Sequence, residues 1–173
     1  MRKALFAILA GIALSTPLME RALAQSPAPP VPANLSQLMK GTLYPASNVV
    51  FAAQVDNPAD VPRAKDPNMA TDLLTSSYGN WEAVENSALA IVEVATLLDL
   101  PGRKCTNGAD VPLKNADWSK FVQELRDAGM TAYAAARAKD RDKMIDVSDV
   151  LTMACAHCHL RYREKRNPAD RCK

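Results

Sequence analysis

The sequence predicts an all-α fold: an antiparallel up-down-up-down four-helix bundle over residues 34–173. Three observations predict it. Apolar residues recur at three- and four-residue steps over four long stretches, the period of an amphipathic helix. No stretch alternates apolar and polar residues in the manner of a strand, and no internal repeat is present. Proline, glycine and asparagine punctuate the segments between the stretches, where helices must end. Four helices of roughly 20 to 25 residues pack most simply as a bundle.

The chain has 173 residues and a formal net charge of +2. Arg2 and Lys3 precede an apolar run from Ala4 to Leu14, and Ala22-Leu23-Ala24 offers an A-x-A cleavage site. This pattern predicts a secretory signal peptide over residues 1–24, its apolar run too short to span a bilayer. Cleavage would leave 149 residues (173 − 24), the size of one domain. It would also remove Arg2, Lys3, Arg21 and Glu20, leaving 18 basic (21 − 3) and 18 acidic (19 − 1) residues. A chain so balanced lacks the dense basic face that nucleic acid calls for. Residues 25–33 hold Pro27, Pro29, Pro30 and Pro32 and predict an extended lead-in.

Asn34 is the expected N-cap of the first helix. Its inward stripe is Leu35, Leu38, Met39, Thr42, Leu43, Ala46, Val49, Val50 and Ala53. Pro45 falls inside that stripe and predicts a kink. Residues 54 to about 75 carry Pro58, Pro62 and Pro67 and predict a long connection. Ser76 or Ser77 would cap a second helix reaching about Leu100, with Trp81, Val84, Ala88, Ile91, Val92, Ala95 and Leu98 inward and Pro101-Gly102 as its stop. The third helix is expected from Ala116 to about Lys139, burying Trp118, Phe121, Val122, Leu125, Ala128, Ala132 and Ala135. The fourth begins near Asp140 and runs through Met144, Val147 and Leu151 to about Arg166, with Pro168 closing it.

The fourth helix carries the chemistry. Cys155-Ala156-His157-Cys158-His159 reads C-x-x-C-H. Its two thiols lie one helical turn apart on one face, so both can add across the vinyl groups of a single haem, with His159 beside them to ligate the iron. Two other readings compete. A zinc site could use these thiols and a histidine, but structural zinc draws its second ligand pair from a separate segment, and both histidines of the chain lie in this motif. A thioredoxin-like C-x-x-C follows a strand, and no strand pattern precedes this one. Covalently bound haem c, one per chain, is the leading expectation.

In an up-down-up-down bundle, the first helix starts at the end where the fourth finishes. At 1.5 Å per residue Met39 stands about 7.5 Å above that end and His159 about 10 Å, which makes Met39 a candidate second axial ligand. Met144 and Met153 are weaker candidates, and core packing is the plain alternative for any methionine. His157 falls on another face from the ligand. Arg163, one turn beyond His159, is expected to pair with a haem propionate; the alternative is a basic residue in a last helical turn. Cys105, after the second helix, and Cys172, after the fourth, meet at one end of the bundle, so a disulfide is expected if the compartment is oxidising.

With these residues in view, the chain resembles the class II c-type cytochromes, the cytochrome c′ family. The resemblance covers most of residues 34–173. It rests on Cys155-Ala156-His157-Cys158-His159 near the C-terminus, on the following Leu160-Arg161-Tyr162-Arg163, and on Met39-Lys40 in the first helix. It implies a haem-bearing four-helix bundle, and Met39-Lys40 is similar to the low-spin members in which methionine binds the sixth position. Pro45, the long proline-bearing loop and the extra cysteines depart from the pattern.

Histidine and methionine ligation of iron suits an electron carrier, because it saturates the metal and raises its potential. The expected function is therefore a periplasmic carrier that is not an enzyme, meeting soluble or membrane-bound redox partner proteins, and the resemblance implies a homodimer as one form. The competing function is a five-coordinate haem that binds a diatomic gas such as nitric oxide. Met39 separates the two readings.

Overall fold

Asn34 opens the first helical rod. Its side chain accepts the Gln37 N–H at 2.9 Å while Gln37 Oε1 accepts the Asn34 N–H at 2.9 Å, a reciprocal capping box. The computed structural model describes residues 30–62, 64–66, 74 and 79–173. The signal peptide, most of the lead-in, much of the expected long connection and the Ser76 or Ser77 cap lie outside these residues.

Helix α1 (Leu35–Leu38) passes through a π-helical turn (Met39–Leu43) into α2 (Tyr44–Val55). The backbone stays right-handed at Met39, Leu43 and Tyr44, so the three pieces form one rod. Pro45 has no N–H to give, and its ring crowds the carbonyl four residues back, that of Gly41. The irregularity falls in the wider turn ahead of the proline, and the helix continues through it. The π turn also shifts the inward stripe by one position. Leu38 and Leu43, five residues apart, are both buried, and so is Ser47, whereas Thr42, expected inward, is exposed.

Helix α3 (Asn80–Leu98) starts at Gly79, a few residues later than the serines suggested, and buries Val94 where Val92 was expected. Beyond it, the buried Arg103 donates from Nε to the Leu97 carbonyl at 3.0 Å and from a terminal nitrogen to the Ala33 carbonyl at 2.6 Å. One guanidinium thus caps α3 and ties down the lead-in. Helix α4 (Ala116–Ala138) ends on Lys139 in the left-handed conformation. Asp140 then accepts the Lys143 N–H at 2.9 Å and opens α5 (Arg141–Tyr162). That helix stops short of Arg166, because the Arg163 and Glu164 N–H groups both close on the His159 carbonyl at 2.8 Å.

The described residues are helical, with one isolated bridge between Lys104 and Asp110 and no helix long and apolar enough to cross a membrane. Helix α3 packs along α4, α4 along α5, and α2 against both α3 and α5. Contacts fix which ends meet. Leu35 N–H donates to the Lys104 carbonyl at 2.8 Å, beside the exit of α3. Trp118 Nε1 donates to Asp99 at 2.9 Å, joining the end of α3 to the start of α4. The Trp118 ring meets the Tyr162 ring edge-on at 5.3 Å, joining the start of α4 to the end of α5. Arg141 reaches the Val55 carbonyl at 3.3 Å, where α2 ends and α5 begins. Val50, Val84, Ile91, Met144, Val147 and Leu151 form the centre of the core.

The disulfide Cys105–Cys172 ties the loop after α3 to the tail after α5 across a separation of 67 residues. Closing a loop of that length stabilises by about 4 kcal/mol in the chain-entropy limit. Replacing both cysteines by serine should lower the denaturation midpoint accordingly; an unchanged midpoint would contradict the account. A second test is at the α3–α4 crossing, where a Cβ on Gly129 would meet Val92 Cγ2 at 2.8 Å, Ile91 Cγ2 at 3.2 Å and the Ala88 carbonyl oxygen at 3.3 Å. Gly129→Ala gains up to about 1 kcal/mol of helix propensity but overpacks a backbone contact at a cost of roughly 1–3 kcal/mol. Net destabilisation is expected in denaturant titration, and a more stable variant would refute the tight crossing.

Candidate functional site

Cys155, Cys158, His159 and Tyr162 recur at steps of three, one and three along α5, which puts all four on one helical face. That face lines a cavity of about 610 Å³, within the range of small-molecule sites. The first rod forms another wall with Leu35, Met39, Leu43 and Phe51; α4 contributes Trp118; the Cys105–Cys172 disulfide, Pro168 and Arg171 complete the lining. Met39, Cys155, Cys158, His159 and Arg163, singled out from the sequence, all border this one space. Met39 does so from the π turn, a local irregularity that often marks functional positions. Met144 is fully buried in the core, Met153 is exposed, and neither lines the cavity.

Neither Cys155 nor Cys158 is in a disulfide. Burial pushes the Cys155 thiol up. Cys158 is pushed up to about 11, chiefly by burial, with the neighbouring Cys155 and Asp117 adding and Arg163 opposing. Both are therefore protonated and weakly nucleophilic near neutrality. Burial also holds the His159 imidazole below its usual value; the Arg163 charge adds to this and Glu164 opposes it. A neutral imidazole has a ring lone pair to give to a metal.

His157 turns away into the seam between α4 and α5. Its Nδ1 lies 2.8 Å from Glu124 Oε2, and its ring packs 6.3 Å from that of Phe121. Arg163 borders the cavity, but its guanidinium is engaged: Nε and a terminal nitrogen both meet Glu164 Oε1, at 2.8 and 2.5 Å.

Two parts of the site were not anticipated from the sequence. The first is a polar clasp behind Tyr162, whose hydroxyl donates to Asp117 and accepts from Asn115 Nδ2 at 3.2 Å, while Arg161 Nε donates to the other Asp117 oxygen at 3.0 Å. The Tyr162 hydrogen bond, with Arg161 adding, holds the Asp117 carboxyl below its usual range. The second is the C-terminal strap. Asn107 Nδ2 donates to the Ala169 and Arg171 carbonyls at 3.2 and 3.0 Å, and Cys172 N–H donates to the Tyr162 carbonyl at 3.0 Å. Apart from the Cys172–Tyr162 bond, these partners lie 44 to 64 residues apart and leave no local signal.

Among the described residues no three His, Cys, Asp or Glu side chains converge as a metal site. A tetrahedral zinc needs such a set. No family model, curated protein or solved structure matches this chain. The arrangement sets two free thiols, one imidazole and one thioether around a single cavity with a largely apolar lining.

In folded chain whose thiols are unmodified, Cys158 at pH 8 should react with iodoacetamide about 100-fold more slowly than a free cysteine, the deficit in thiolate set by its raised pKa. A rate matching free cysteine would contradict the burial of this thiol.

Proposed function

We propose that the protein is an exported monohaem c-type cytochrome that carries electrons, with haem c joined to Cys155 and Cys158. The observation that carries the reading is the single cavity bordered by both free thiols and His159 from α5 and by Met39 from the first rod. The contacts between helix ends support an up-down-up-down order for the bundle. The periplasm is the compartment proposed, where the Cys105–Cys172 disulfide would persist.

Bound in this cavity, the haem would supply a one-electron ferric–ferrous couple. The chain's own groups do the rest. Cys155 and Cys158 would each hold the group through a thioether, the S–H of each thiol adding across a vinyl double bond with no leaving group. His159, neutral through burial, gives a ring nitrogen to the iron. Met39 would offer a soft, neutral thioether, which favours the ferrous state and would keep small molecules off the metal. Leu35, Leu43, Phe51 and Trp118 give the site apolar walls, and an apolar surrounding also raises a haem potential. Because no protein group beyond His159 and Met39 is asked to act on a substrate, the role proposed is carriage rather than catalysis, with redox proteins as partners.

Visible spectra of oxidised and reduced protein test this directly. A low-spin spectrum indifferent to carbon monoxide is expected. Met39→Ala should turn the iron high-spin, admit carbon monoxide and lower the potential while keeping the helix, since alanine is a good helix former. An unmutated protein that is already high-spin and binds carbon monoxide fast would make Met39 a packing residue and put the gas-binding reading first.

A further inference from the structure

The cavity's charge is one-sided. Its charged lining residues are Lys40, Arg163 and Arg171, and no aspartate or glutamate borders it. Glu164, outside the lining, compensates Arg163 directly and interacts more weakly with Arg171. The three cations are not equivalent. Arg163 is spent on Glu164, and Lys40, exposed as Arg171 also is, makes no side-chain hydrogen bond that would anchor it among the described residues. Arg171 differs from both. Its Nε donates to the Arg163 carbonyl at 3.1 Å, and among the described residues no hydrogen bond uses its two terminal nitrogens.

The backbone of Arg171 is also held on both sides. Asn107 Nδ2 grips its carbonyl at 3.0 Å, and the next residue, Cys172, is fixed by the disulfide to Cys105 and by its N–H on the Tyr162 carbonyl. A planar guanidinium with its stem anchored and its fork free is the arrangement that binds a carboxylate through two parallel hydrogen bonds.

We propose that Arg171 is the carboxylate-binding residue of the cavity, and that the Cys105–Cys172 disulfide serves the site by holding the strap that presents it. This rests on the haem reading and deepens it: the carboxylate is a propionate of the bound group, and the anchor is Arg171 rather than Arg163. Arg171 acts on the group's charged edge, not on the iron, and so is a positioning residue.

The test uses the full exported chain, in a buffer free of carboxylate and phosphate so that no bulk anion stands in. The reduction potential is followed from pH 4 to 9 for the unmutated protein, Arg171→Gln, Arg171→Lys and Lys143→Gln, the last removing a charge near the start of α5 at the far end of the bundle. Removing a cation from a carboxylate raises its pKa by about one unit or more. Arg171→Gln should therefore move the carboxylate inflection upward by about 1 pH unit and lower the potential at pH 7, with Arg171→Lys between it and the unmutated chain. The Cys105→Ser, Cys172→Ser double variant should reproduce the same upward shift by freeing the strap. An Arg171→Gln profile that follows the unmutated one, or shifts no more than Lys143→Gln, overturns the role of Arg171 while leaving the haem reading intact. A colourless exported chain overturns the haem reading itself, and the Arg171 role with it.

Discussion

A helix can hold a bulky group on one face but cannot enclose it. Cys155, Cys158 and His159 lie within five residues of α5 and face one direction. Whatever they hold needs its other walls from segments remote in sequence. Much of the structure at this end of the molecule answers that constraint. The first rod supplies an apolar wall from more than 100 residues upstream, α4 supplies Trp118, and the tail after α5 folds back as a strap.

The two ends of the molecule differ accordingly. Around Met144, Val147 and Leu151 the helices close on one another and leave the interior to side chains. Around Cys155 to Tyr162 a cavity opens between α5 and the first rod, and polar contacts fix its border. The Tyr162–Asp117–Arg161 clasp pins the end of α5 to the start of α4, Trp118 bridges to Asp99, and Arg103 ties the exit of α3 to the lead-in. A cavity forfeits the close packing that stabilises the rest of a core. A covalent cross-link and partly buried hydrogen bonds at its border offset that loss.

Much of this architecture was legible in the sequence. The apolar periods located four helical rods, Asn34 announced itself as a cap, Asp140 marked where the fourth rod begins, and the C-x-x-C-H motif pointed to the face that lines the cavity. What could not be read had physical reasons. The π turn at Met39–Leu43 shows no local period, because a single turn widened by one residue shifts the stripe without breaking it; Thr42 and Ser47 exchange places as a result. Nothing in the sequence singles out Arg103 or Arg171: the Ala33 carbonyl that Arg103 reaches lies 70 residues away, and Asn107, which holds the Arg171 backbone, lies 64 residues away. Arg163 was expected to meet a haem propionate; it borders the cavity, where its neighbour Glu164 holds the guanidinium.

The central claim is that two thiols on one face of α5 carry one covalently bound haem. Intact mass measured after denaturation in acidified organic solvent tests it most directly. The account predicts the mass of the chain plus one haem, with colour retained, and loss of both when Cys155→Ser and Cys158→Ser are combined. A chain whose denatured mass equals that of the polypeptide alone, or a double variant that still holds the haem irreversibly, would contradict it.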